Sequence, residues 1–207
     1  MKYNLDIECI SVQDYKGILK KQKLLPGRRI LLQNIEGNFA LFESKGMQNL
    51  SQLKKSISSP QKIASFAAES GVPEDYLVIL KREMGSLEQK PVSLASFPNI
   101  DDSLIKRLNE VGVKNSKDYW ESNQSEMDEL FGLCDLVRIN GVGPVAAKAF
   151  YEAGYQSVSE VAEAEAADML EKISAVNAVQ HYYKAKLGLK DMQFCIDFAQ
   201  LLRNRGN

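Results

Sequence analysis

Apolar positions recur every three to four residues along most of the chain, and that spacing predicts short helices separated by glycine and proline. Ser59 and Pro60 form a cap followed by proline at the first helical position. Ile63, Phe66 and Ala67 then fall on one face before Gly71, so a helix is expected over 60–70. Pro73 opens a second helix, 73–84, on Leu77, Leu80 and Met84. Pro144 opens another, 144–153. A last helix near 190–203 places Phe194, Phe198, Leu201 and Leu202 on one stripe. Ser157 with Glu160, and Asn49 with Gln52, have the spacing of capping boxes. Only Tyr3, Leu5, Ile7 and Cys9 alternate with period two, as one short strand or an extended leader would. The expected fold is all-α, with at most one short N-terminal strand.

One pattern occurs three times. INGVGPVAAKAFYEAG (139–154) lies over FPNIDDSLIKRLNEVG (97–112) without gaps. Ile139 then matches Phe97, Val142 matches Ile100, Lys148 matches Lys106, Phe150 matches Leu108, and Gly154 matches Gly112. NIEGNFALFESKG (34–46) fits with one residue deleted in the turn, keeping Gly37 with Glu36 beside it. Each copy precedes a short capped helix, at Leu50–Leu53, Ser116–Tyr119 and Val158–Val161. ESGVPEDYLVIL (69–80) also aligns with KLGLKDMQFCID (186–197) on Gly71 and Gly188. Two related halves, 1–90 and 91–207, account for most of the chain.

The 139–154 copy carries the most specific chemistry. A helix ends near Arg138, and Gly141 and Gly143 flank Val142, a pairing that permits positive φ and a tight reversal. Val142 is the expected plug between two helices, and Ala146, Ala147 and Ala149 allow those helices to approach closely. Bare amides at the start of the second helix, aligned with its dipole, favour an anion. Ile139-Asn140-Gly141-Val142-Gly143-Pro144 and the later Ala153-Gly154 resemble the helix-hairpin-helix motif. The tandem layout is similar to the family known as domain of unknown function 4332. That resemblance implies a bundle of tandem helix-hairpin-helix units with additional short helix pairs. The resemblance to the helix-hairpin-helix motif implies contact with the DNA backbone without base reading, through hairpin amides and a nearby basic side chain, and in some relatives a monovalent cation on the hairpin carbonyls. No other cofactor is expected. Two departures stand out. Val145 occupies the place after proline where Lys or Arg is common, and Asp101 replaces Gly143 in the second copy, followed by Asp102.

Net charge is −1, yet residues 1–90 carry +4 and residues 91–207 carry −5. The N-terminal excess is concentrated at Lys16, Lys20, Lys21, Lys23, Arg28 and Arg29, with no acid between Asp14 and Glu36. It reads either as a solvated helix face or as a polyanion contact. The candidate nucleic-acid contacts are therefore Gly141, Val142, Gly143, Arg138 and Lys148, with Lys20, Lys21, Arg28 and Arg29 as auxiliary cations. The rival reading is a protein-interaction or structural scaffold whose hairpins serve only as folding units. With 44% hydrophobic and 26% charged residues the chain is of ordinary globular composition. No apolar run reaches the ~20 residues of a membrane span. Acids at Asp6 and Glu8 interrupt any signal peptide, and Cys9, Cys134 and Cys195 match no disulfide or zinc spacing. A cytoplasmic, non-enzymatic protein with no small-molecule substrate is expected. His181, followed by Tyr182 and Tyr183, is expected in a helix without a nucleophile beside it, and Trp120 in the core.

Overall fold

The computed structural model describes residues 2–22, 24–122 and 128–205, and Lys23 of the basic stretch lies outside them. The described residues are helical, with no strand; two isolated bridges, Ser11 with Asn49 and Ser93 with Asn115, are the only extended pairings among them. The chain divides into two compact units, 6–88 and 89–207, the second of which also takes residues 1–5.

The 6–88 unit contains α1 (Val12–Lys21), a 3-10 segment (Pro26–Leu32), α2 (Ile35–Ser44), α3 (Leu50–Ser56), α4 (Pro60–Ser70) and α5 (Glu74–Gly85). Its core is aromatic: Phe39 meets Phe42 edge-on at 5.2 Å, and Phe42 meets Phe66 at 5.9 Å. The expected helices over 60–70 and 73–84 are α4 and α5, with the Ser59 hydroxyl accepting from the Lys62 amide. Gly71 closes α4 at φ 75°, its amide donating to the Ala67 carbonyl.

The second unit begins with a leader rather than a strand. Tyr3 and Leu5 are buried as alternation requires, but Cys9 is exposed and Ile10 takes the next core position. Tyr3 is held by its hydroxyl against the Ser116 hydroxyl at 2.7 Å and by its ring edge-on to Trp120 at 5.8 Å. Beyond a 3-10 turn (Leu94–Ser96) follow α6 (Asp102–Glu110), α7 (Ser116–Ser122), α8 (Glu129–Leu136), α9 (Pro144–Glu152), α10 (Val158–Glu163), α11 (Ala166–Gln180) and α12 (Leu189–Arg205). Trp120 is a core residue, stacked on Phe131 at 6.3 Å.

The three sequence copies share their backbone in detail. Helices α2, α6 and α9 each end on a glycine at positive φ: Gly46 (81°), Gly112 (89°) and Gly154 (91°). In each, the next amide reaches back five residues: Met47 to Phe42, Val113 to Leu108, and Tyr155 to Phe150. Each then runs into a reciprocal cap. Asn49, Asn115 and Ser157 accept from the amides of Gln52, Asp118 and Glu160, whose own side chains accept from the amides of Gln48, Lys114 and Gln156. Ahead of the helices the copies part. Asn99 (φ 60°) stands where Gly141 (φ 87°) does, and Asn34 (φ 45°) directly caps α2. Only the last copy has a full α-helix, α8, before its turn; the others have 3-10 segments. Gly37 is not a turn residue but lies inside α2, where a Cβ would stand 2.6 Å from the Asn34 side chain.

His181 differs from expectation. It is not helical but caps α11 in the left-handed region (φ 55°), its amide donating to Asn177 at 2.9 Å, a conformation that histidine adopts more readily than bulky residues. The residue equivalent to Gly71 is thus His181, not Gly188, which caps the start of α12.

Candidate nucleic-acid interface

The turn between α8 and α9 is drawn tight by short-range bonds: Ile139 N–H to Leu136 O at 3.0 Å, and Val142 N–H to Ile139 O at 3.0 Å. Ile139 is fully buried and Val142 nearly so, which makes Val142 the plug the sequence suggests. Gly132 on α8 lets the hairpin close, since a Cβ there would lie 2.6 Å from the Tyr151 ring. The two turn glycines differ. Gly141 sits at φ 87°, a conformation that favours glycine. Gly143 has φ −87°, and a Cβ on it would meet nothing within 4 Å. Neither conformation nor space requires glycine at 143.

No side chain caps α9, and its ladder begins with the Ala147 amide on the Gly143 carbonyl at 2.9 Å. The amides of Gly143, Val145 and Ala146 therefore precede the ladder, with residues 143 and 145 exposed. In the second copy Asp101 fills this place itself, accepting from the Ser103 amide at 2.8 Å and from the Ser103 hydroxyl. These bonds, the hydroxyl first, hold the Asp101 carboxyl below its ordinary pKa. A charged side chain thus occupies the equivalent anion position.

Neither cation expected beside the turn is available there. Arg138 is 5% exposed. Its Nε donates to the Tyr3 carbonyl at 2.7 Å, its guanidinium pairs with Asp135, and its Cζ lies 4.2 Å from the Trp120 ring centre. Asp135 also accepts from Trp120 Nε1 at 2.8 Å and from the Val158 amide at 2.7 Å. Lys148 is buried between Glu129 and Glu152. Burial pulls its pKa down, but the hydrogen bonds its ammonium donates to the two carboxylates outweigh that and leave it raised. Lys148 therefore stays charged and is locally neutralised.

The auxiliary cations of the 6–88 unit are partly engaged as well. Glu36 folds back on Lys16 and Lys20, whose hydrogen bonds lower its pKa to about 2. Arg28 pairs with Glu83, whose side chain is only 5% exposed. Lys21 and Arg29 are exposed and have no ion pair among the described residues.

A basic segment outside the expected set flanks α9. Residues 172–190 contain no Asp or Glu, and Lys184, Lys186 and Lys190 are exposed. The Tyr182 hydroxyl donates to Glu152 at the end of α9 at 2.7 Å, while Phe194 Cε1 lies 3.8 Å from where a Cβ of Gly141 would stand. The acid-free run was the available signal, hidden by the negative sum of its half.

Residues 102–202 match the family model described as Domain of unknown function (DUF4332), just under half of the chain. From α6 through most of α12 the chain thus resembles that family. No match was found among curated proteins or solved structures. Among the described residues no helix is long and apolar enough to cross a membrane, and no cluster of three His, Cys, Asp or Glu could hold a metal ion.

Proposed function

We propose that the chain is a non-enzymatic, cytoplasmic protein that binds the DNA backbone without reading base sequence, through the turn between α8 and α9. The observation that carries this reading is Gly143: an exposed glycine, required by neither φ nor packing, placed where bare amides open a helix. A missing Cβ at that point leaves room for a phosphate to approach the amides. Gly141 and Val142 shape the turn, and Arg138 and Lys148 support it from within rather than touching DNA. The cytoplasmic placement is supported by Cys134 and Cys195, two buried cysteines outside any disulfide; burial raises the pKa of both thiols, that of Cys195 to about 12.

Gly143→Asp tests it cleanly. The backbone at 143 suits an aspartate cap, so melting should be unchanged or rise by a few tenths of a kcal/mol. Binding to a short duplex should fall strongly, because a fixed carboxylate would face the phosphate. Wild-type affinity should be modest, insensitive to base sequence, and show a log–log salt slope of roughly −3 to −4.5 for about 3–5 neutralised phosphates. Unchanged binding by Gly143→Asp would remove the turn from the interface.

A protein-interaction or structural scaffold is the second reading. It is favoured by the internal pairing of Arg138 and Lys148, which leaves the hairpin itself without a free cation. An absence of wild-type binding to DNA at low salt would select it.

A further inference from the structure

We infer that Lys184, Lys186 and Lys190 are the cations of the DNA-binding surface, lying along α9 where the hairpin has none of its own. The inference rests on the DNA-backbone reading and specifies which charges neutralise phosphate. Three observations place these lysines. The segment after α11 is fixed at one end of α9 by Tyr182 on Glu152, and reaches the other end where Phe194 packs by Gly141. Residues 182–194 therefore follow α9 from its C-terminus to the turn before its N-terminus. Lys190 stands one helical turn before Phe194 on α12, so its Cβ is about 5–6 Å from that of Phe194 and on the same face. That puts an ammonium on a flexible stem within reach of a phosphate docked at the turn.

The charges are also unpaired and only partly compensated. None of the three lysines has an ion pair among the described residues. The nearby acids are Glu129 and Glu152, which share Lys148, with Glu152 also accepting from Tyr182, and Asp191, which accepts from the Gly188 amide at 2.8 Å; with Lys148 they sum to −2 against the +3 of the three lysines. A local positive strip thus lies in a half whose net charge is −5. Electrostatic attraction at close range follows local rather than summed charge, because salt screens beyond about 8–10 Å.

The test is a salt titration of a short DNA duplex against the full chain carrying K184Q, K186Q and K190Q together, beside the wild type and K21Q/R29Q. All these side chains are exposed, so the fold should be retained, checked by circular dichroism and melting. Three lost phosphate contacts should flatten the log–log slope by about 2–3 and weaken binding by one to two orders of magnitude, roughly, near 0.1 M salt. K21Q/R29Q should change the slope by less than about 1. A triple variant with wild-type slope and affinity would overturn the lysine assignment while leaving the hairpin reading intact. A wild type that does not bind at low salt would overturn both. Weakened binding by the triple variant with an unchanged slope would also count against it, since the loss would not be one of phosphate neutralisation.

Discussion

Three residues, 71–73, join α4 to α5, whereas eight, 181–188, join α11 to α12. The first helix of each pair ends alike, on a left-handed residue whose amide reaches back four positions: Gly71 to Ala67 and His181 to Asn177. The longer connection therefore begins after a shared cap. It carries Tyr182, Lys184 and Lys186 and leads into Lys190, and it lies beside the only copy of the repeat with a complete helical hairpin. The two units also bury charge differently. In 6–88, Glu83 is buried but its partner Arg28 keeps a quarter of its side chain exposed (24%). In the second unit both members of Asp135–Arg138 are enclosed, and Asp135 accepts from a helix-start amide and an indole as well. Repetition has preserved the caps, while the charged groups have been assigned separate tasks.

That contrast gives the largest expected effect. Asp135→Ala strands the Arg138 guanidinium inside the protein and leaves the Trp120 and Val158 N–H groups without their acceptor. It should cost about 3–5 kcal/mol in denaturant unfolding. Glu83→Ala leaves Arg28 able to turn toward water and should cost about 1–3 kcal/mol. Equal losses at the two sites would break the comparison, and a loss below about 1 kcal/mol for Asp135→Ala would deny it the role of hub.

The same reasoning divides the two glycines of the turn. Gly141→Ser must hold an L side chain at φ 87° and should cost about 1–2 kcal/mol. Gly143→Ser, in extended backbone with open space, provides α9 with a capping hydroxyl and should be neutral or stabilising by a few tenths of a kcal/mol. Melting curves of the two variants decide it. A cost at 143 matching that at 141 would make Gly143 a structural requirement and remove the reason to see it as room for a ligand.

What could be read from the sequence was what is decided within a few residues. The caps at Asn49, Ser59 and Ser157, the starts of α4, α5, α9 and α12, and the plug Val142 all depend on neighbours within about one turn. The same holds for the glycine ends that make the three copies alike. Charge assignment depends on distant partners, and there local reading failed. Arg138 is claimed by a carbonyl 135 positions away, and Lys148 by Glu129, 19 positions away. Lys16 and Lys20 meet Glu36, which ends the acid-free run that made them seem free. Aligning Gly188 with Gly71 concealed the eight-residue connection, because the true counterpart of that glycine is a histidine in the same left-handed conformation.

The smallest effect concerns Glu36, whose carboxyl should titrate near pH 2 by NMR because Lys16 and Lys20 donate hydrogen bonds to it. Its folded pKa lies below the ordinary value near 4.5, so its contribution to stability is present above that value. The contribution is lost as pH falls from about 4.5 through about 2, and the change in melting should be slight since the pair is solvent-screened. At neutral pH the carboxylate is charged, and it keeps Lys16 and Lys20 from acting as free cations. Glu36→Gln, a change within the 6–88 unit, releases them. If DNA contacts belong only to the hairpin and the lysines of 184–190, the duplex salt slope should not move in this variant. A slope steeper by about 1 or more would bring the N-terminal unit into the interface, and would restore Lys20 to the place its sequence context first suggested.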